Sequence, residues 1–350
     1  MTHWEYWPFK VIYIPIYFLW AFYSVKAKSF FFFNASNPTI KNGGFIMVSK
    51  KAIYNLIPQK YYPITELIKE GAALEEIKTT IEQAFIQYPF FVKPDIGLRG
   101  SGVKKINTVQ ELEQYAIRAN FDFLVQDLIP FQNEVGIFYV RYPNEKKGKI
   151  TGIVSKEFLI VTGNGLASIE ELIKLNPRYE LQLEVLKQEY GIKLLEVLPK
   201  GEKLNLMPYG NHSRGAKFID GSHWVTQKLE DTINEICLQI PGFFFGRMDV
   251  MYNSFEELEN GKNFFIVELN GAASEPTHIY DPKHSLFFAW KELAQHITYM
   301  YEISVANNRH GIPYLKHRAG MKEYRLHIEQ NNKIVNLLIG LSENARSQVQ

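Results

Sequence analysis

The feature that most restricts how this chain folds is a pair of apolar runs, FFFGRMDVMY at 243–252 and NFFIVELNG at 263–271, with charged residues set into both. Side chains alternate across a strand, so Arg247 and Asp249 share one face of the first run, and Glu268 and Asn270 share one face of the second. The connector NSFEELENGKN is polar and turn-rich, which makes the runs antiparallel neighbours and lets Asp249, Glu268 and Asn270 converge. Met248, Val250, Val267 and Leu269 bury the other face. A carboxylate in such a surface is costly unless it is paired. Arg247 is one candidate partner and a divalent metal is the other. Two carboxylates and an amide oxygen form a hard donor set that suits Mg2+, which also takes phosphate oxygens. Acids on a solvated strand face are the plainer alternative.

A second stretch, FFVKPDIGLRGSGV at 90–103, reads as a strand entering a glycine-rich loop. Gly97 and Gly102 have Walker A spacing, but Val103 stands where that motif needs lysine. Gly100 and Gly102 open a dinucleotide fingerprint, but Lys105 stands at its third glycine. Both motifs are excluded. What remains is Lys93 on a strand, followed by Gly97, Arg99, Gly100, Ser101 and Gly102. Backbone N–H groups of such a loop can form an anion-binding nest. A glycine turn between two strands, with Lys93 at an exposed end, is the other reading.

The remaining chain mixes helices and strands without a steady βαβ rhythm, which argues for an α+β fold. Helical spacing covers 66–87 through Leu67, Leu74, Ile77, Ile81 and Phe85, and recurs in VQELEQYAIRA and in 233–240. Ser168 and Glu171 form a capping-box pair ahead of another helix. EVGIFYVRYP alternates as a strand and turns at 146–149 into ITGIVSKEFLIV. Net charge is +2, so composition points to no nucleic-acid partner. The one cysteine, Cys237, sits at helical spacing with Ile233, Ile236 and Ile240 and reads as core.

Residues 7–33 are rich in aromatics and carry no charge between Lys10 and Lys26. That window is shorter than the roughly 20 apolar residues of a spanning helix, and Pro15 interrupts it. No small-x-small cleavage site follows. Aromatics flanked by lysines suit a membrane interface; packing on the protein's own core, or on a second subunit of a homodimer, are the alternatives. The expected location is cytoplasmic, with a peripheral station on the cytoplasmic membrane face as the variant the arm allows.

Taken in order, FVKP with its glycine loop, LVQDLIP, RMDV and VELNG resemble the ATP-grasp superfamily, within it the carboxylate–amine ligases related to D-alanine–D-alanine ligase and glutathione synthetases. The resemblance covers roughly residues 88–300. It implies two α+β lobes holding ATP between them, with an arm at 1–60, a helical segment at 61–88 and the grasp domain at 89–345. It implies that Lys93 contacts the α and β phosphates, with Arg99 in the loop where Gly100, Ser101 and Gly102 close over the β and γ phosphates. Gln126, Asp127, Leu128 and Ile129 would form the hinge that reads adenine, and Glu134 would hold the ribose. Asp249, Glu268 and Asn270 would bind Mg2+, with Arg247 near an acyl phosphate. Asn211 and Arg214 are candidates beside the γ-phosphate, although Arg214 reads equally as a surface hairpin residue. Asn164 stands where related chains often carry Asp.

The implied reaction converts a carboxylate to an acyl phosphate with ATP and then joins it to an amine, or to a thiol or hydroxyl. GAASEPTHIYDP, after Asn270, departs from the D-alanine ligase pattern, so Glu275, Thr277 and His278 are expected to serve a different acceptor. A small-molecule kinase using the same ATP site, and a membrane-surface protein that holds nucleotide without turnover, are the competing classes.

Overall fold

The structure, a computed structural model, describes residues 4, 7, 9–97, 100–157, 159–180, 182–206 and 217–347. Its strands are β1 (Thr65–Ile68), β2 (Phe90–Pro94), β3 (Lys104–Ile106), β4 (Phe123–Gln126), β5 (Asn133–Val140), β6 (Lys149–Glu157), β7 (Ile160–Thr162), β8 (Lys203–Asn205), β9 (Lys217–Asp220), β10 (Phe245–Tyr252) and β11 (Phe264–Asn270). They form a four-stranded sheet in the order β1-β4-β2-β3, a five-stranded sheet in the order β11-β10-β5-β6-β9, and the small pair β7-β8. Among the described residues every strand pairing is antiparallel, so the α+β expectation holds.

The four-stranded sheet is covered by helices Leu74–Gln83 and Val109–Arg118. Ile77, Ile81, Leu112 and Tyr115 pack there on Phe90, Val92, Ile106 and Val125. Thr108 caps the second helix through the N–H of Glu111. Residues 66–68, expected as helix, belong to β1 instead. Four residues are too few for apolar spacing to distinguish the two states, and pairing with β4 decides the matter. Phe85, read as an apolar position of the helical pattern, lies past the helix end and is exposed.

The five-stranded sheet is buried on both faces. Ile137, Tyr139, Met248 and Val250 pack with Ile233, Ile236 and Cys237 of helix Gln227–Leu238. Phe138, Val140 and Phe245 point the other way, toward Met300 and Ile303 of helix Leu286–Arg309. Alternation along β5 thus feeds two cores at once. Ser168 and Glu171 close the expected capping box.

The arm folds onto this second core. In helix Ile14–Ala27, Ile16 is buried near Leu286, Ala289 and Leu293. Tyr23 stacks on Tyr301 at 4.2 Å between centroids and shares a hydrogen bond of 2.9 Å with Thr298. Phe32 and Phe33 are fully buried. The inner side of the arm is therefore internal packing, one of the expected alternatives. Among the described residues, no helix is long and apolar enough to cross a membrane.

Candidate functional site

The antiparallel pairing of β10 and β11 sets Asp249 opposite Glu268 and Arg247 opposite Asn270. Directly paired residues share a face, so all four project to one side. On the other flank of β10, Gly136 of β5 stands opposite Asp249. A methyl group at Gly136 would lie 3.0 Å from Asp249 Oδ1, 3.2 Å from Arg247 Cδ and 2.8 Å from Val154 Cγ1. The glycine leaves the room that the charged pair occupies.

Asp249 is held by two cations. Arg247 donates from Nε to Oδ1 and from Nη2 to Oδ2, each at 3.0 Å. Lys156 Nζ lies 3.5 Å from Oδ1 and also pairs closely with Glu134. Burial works to raise the Asp249 carboxyl, but Arg247 and Lys156 outweigh it and hold the group below the usual carboxylate range. Burial likewise acts against the Lys156 charge, and Asp249 and Glu134 outweigh it, so this ammonium is raised.

The register slips between Asp249 and Val250, leaving Val267 as an extra residue on β11. Such a bulge re-aims the local backbone. The Val267 carbonyl accepts from the Tyr54 hydroxyl and from Lys93 Nζ at 3.4 Å. Lys93 sits on β2 of the other sheet, so this contact joins the two sheets. Lys93 is 6% exposed. It donates to Tyr54 Oη and Gln126 Oε1, both at 2.9 Å. Burial pulls its ammonium down to about 8, against the opposing pull of Glu268 and Asp95.

Between the sheets lies a cavity of about 50 Å³ lined by Lys50, Tyr54, Gly97, Glu268 and Asn270, among others. Lys50 Nζ donates to Gly97 O at 2.9 Å. Burial lowers its ammonium, opposed by Glu268, and Lys93 lowers it further. Lys50 opens a short helix whose start is set by Ser49, which caps the Ala52 N–H, and by Asp95, whose Oδ1 accepts from Ser49 Oγ and Lys51 N. Lys50, Tyr54 and Lys156 were not singled out in the sequence. Lys156 had a legible signal, since a lysine on the same face as Val154 in a buried strand needs an acidic partner.

Other expected site residues are distributed as follows. The Gln126 side chain is engaged by Lys93, Tyr54 and Thr65. The Asp127 N–H donates to Ile64 O, and the Leu128 N–H to Asp127 Oδ1. Ile129 follows in the connector to β5. Gly100 and Gly102 have φ of 69° and 75°, as a tight loop requires; Ser101 lies between them. This loop packs beneath Ile334 of the C-terminal helix His317–Ser347, and Gln330 of that helix donates to Ile96 O at 3.0 Å. Arg99, Asn211 and Arg214 lie outside the described residues. Asn164 accepts from the N–H groups of Leu166 and Ala167 and serves as a turn residue.

In the segment after Asn270, Arg247 Nη1 donates to the Glu275 carbonyl at 3.3 Å and to Thr277 Oγ1 at 3.4 Å. The Glu275 carboxylate accepts from the Tyr13 hydroxyl of the arm. His278 is 4% exposed, with its ring against Gly152 of β6 and its Nε2 3.7 Å from Glu292. Glu275 and Thr277 therefore border the charged cluster, whereas His278 is enclosed behind it.

For Mg2+, the donor set divides. Glu268 and Asn270 line the cavity, and neither side chain is taken up in a hydrogen bond or ion pair among the described residues. They fit a hard cation that completes its shell with phosphate and water. Each Asp249 oxygen accepts one bond from Arg247, so a metal there would share the carboxylate with that guanidinium through the remaining lone pairs. Among the described residues no three His, Cys, Asp or Glu gather to hold a metal on their own.

No family model matches this chain. Over 142 residues it is 28% identical to the glutathione biosynthesis bifunctional protein of Clostridium perfringens, a match covering 35% of this chain and 18% of that one. The chain thus spans less than a fifth of the length of that curated relative. Similar solved structures include a bifunctional glutathione synthetase from Pasteurella multocida, at 16% identity and TM-score 0.39 over 75% of this chain and 38% of that one. The D-Ala:D-Ser ligase VanG of Enterococcus faecalis aligns at 16% identity and TM-score 0.41, over 72% of this chain and 61% of that one. D-alanine–D-alanine ligase from Bacillus anthracis aligns at 13% and 0.43, over 75% and 69%.

Proposed function

We propose that this chain is an ATP-dependent ligase that joins a carboxylate to an amine through an acyl phosphate, releasing ADP and phosphate. The observation that carries the reading is the bridge between the sheets. Lys93, from one sheet, bonds to the bulged Val267 carbonyl of the other, beside Lys50, Glu268 and Asn270. Two cations anchored around β2 thus face an acidic, oxygen-rich strand of the other sheet, an arrangement suited to a polyphosphate with its metal.

In this reading Lys50 and Lys93 neutralise the phosphates. Mg2+ held by Glu268 and Asn270 would supply further charge neutralisation at the transferred phosphoryl group. Arg247, fixed by Asp249 and reaching toward Glu275 and Thr277, orients the developing acyl phosphate. Lys156, held by Glu134 and Asp249, supports that geometry from the next strands. Glu275 is the carboxylate available to draw in a protonated amine. The cavity is far smaller than the roughly 300 Å³ or more of a ligand site, so nucleotide entry requires the sheets to part, as two lobes can. The substrates are a small-molecule acid and amine, with ATP and Mg2+.

Incubation with MgATP and pooled acids and amines tests the proposal. Free phosphate with a condensed product supports ligation, and a phosphorylated compound without free phosphate identifies a kinase. Positional exchange of labelled ATP with the carboxylate alone reports the first step.

A further inference from the structure

Helix Ile14–Ala27 is apolar on all sides, yet only its inner side is covered. On its outer side Ile14, Phe18, Phe22 and Val25 form a stripe at helical spacing; Phe18 is 75% exposed and Val25 77%. Val11 and Phe30 extend the stripe at its two ends, and both are exposed. The charge along this part of the chain has one sign. From Lys10 to Lys60 the chain holds seven lysines and neither Asp nor Glu. Lys10, Lys26 and Lys28 are exposed at the ends of the stripe. Its C-terminal end opens into a groove of about 500 Å³, where Lys28, Lys316 and His317 join Val25, Phe30 and Tyr314.

We propose that this face docks on an anionic lipid surface, with the aromatic and aliphatic side chains entering the headgroup boundary and the lysines meeting lipid phosphates. Apolar burial and attraction to anionic lipid act together at such helices. Charge decides against a second copy of this chain. A two-fold contact through the same stripe would set the lysines of one helix against those of its partner, and between Lys10 and Lys60 the chain has no acid to offset them. The inner side is pinned by Tyr23, Trp290 and the Tyr13–Glu275 bond, so docking needs no unfolding of the arm. The inference stands apart from the ligase reading.

Flotation of the full chain with vesicles tests it, using phosphatidylcholine alone and with about one-third phosphatidylglycerol. Each lysine near an anionic surface strengthens binding about fivefold. Lys10→Gln, Lys26→Gln and Lys28→Gln together should therefore weaken binding to anionic vesicles about a hundredfold. Phe18→Ser with Val25→Ser should abolish binding to both vesicle types. These side chains are exposed, so the thermal midpoint and nucleotide affinity should stay unchanged in both variants, which separates failure here from failure of the ligase reading. Binding to neither vesicle by the unaltered chain overturns the proposal. So does equal binding by the lysine variant, or a dimer in sedimentation that Phe18→Ser dissociates.

Discussion

Replacing Lys93 with Met keeps an unbranched side chain, one atom shorter, and removes the charge, and the structure sets two opposite consequences. Burial pulls the Lys93 ammonium from 10.5 to about 8, against Glu268 and Asp95. At ~1.36 kcal/mol for each pH unit, carrying the charged form near pH 7 costs the fold about 3 kcal/mol. The substitution also leaves Gln126 Oε1 without its donor, a loss of about 1–2 kcal/mol. Lys93→Met should therefore be more stable than the parent by about 1–2 kcal/mol near pH 7. The gap should close as pH rises from about 8 toward 10.5. In that window the unfolded parent keeps a proton that the folded parent has released, so the parent gains stability with pH while the variant does not. Nucleotide binding should move the other way. Loss of a hydrogen bond from a charged group, worth about 1.5–3 kcal/mol, weakens affinity roughly 10–100-fold. Urea unfolding near pH 7 and near pH 10, with calorimetric titration of a nonhydrolysable MgATP analogue, reads both. A variant less stable than the parent near pH 7 would refute the burial argument, and unchanged affinity would remove the cleft as a phosphate site.

Asp249→Asn leaves Arg247 and Lys156 short of an anion in a buried setting, so its denaturation midpoint should fall by the equivalent of about 3–5 kcal/mol. Glu268→Gln removes a half-buried, uncommitted carboxylate. It should lose Mg2+-dependent turnover while its unfolding curve stays near that of the parent, and an equal loss of folding would make Glu268 structural. Gly136→Ala forces a methyl group against Val154 and the Arg247–Asp249 pair; overpacking of this kind costs about 1–3 kcal/mol, and calorimetry should show a lower melting temperature. Tyr13→Phe removes the arm's hydrogen bond to the Glu275 carboxylate, leaving only the longer one from Tyr280 Oη at 3.4 Å. It should alter condensation with the amine while leaving positional exchange of ATP intact, and equal loss of both steps would remove Glu275 from acceptor binding.

Local sequence was enough for features that depend on neighbouring residues. Alternation in FFFGRMDVMY and NFFIVELNG, with a polar connector, specified an antiparallel pair, because a period of two leaves one arrangement that buries Met248 and Leu269. The capping box at Ser168 and Glu171 was legible for the same reason, as its partners are three residues apart. The tertiary structure decided what depends on distant segments. Thr65–Ile68 became a strand because β4 lay alongside it. The bulge at Val267 turned a carbonyl toward Lys93, and alternation alone cannot reveal where a register slips. Lys50 entered the cavity through a helix start anchored to Asp95, some 45 residues further along the chain. His278, polar in a turn-rich segment, was enclosed by packing against Gly152. The aromatic arm divides along the same line. Its composition showed that it had to cover or meet something apolar. Only the fold determined which side of its helix the protein's own core would take, because burial is settled by the surface that arrives from elsewhere in the chain.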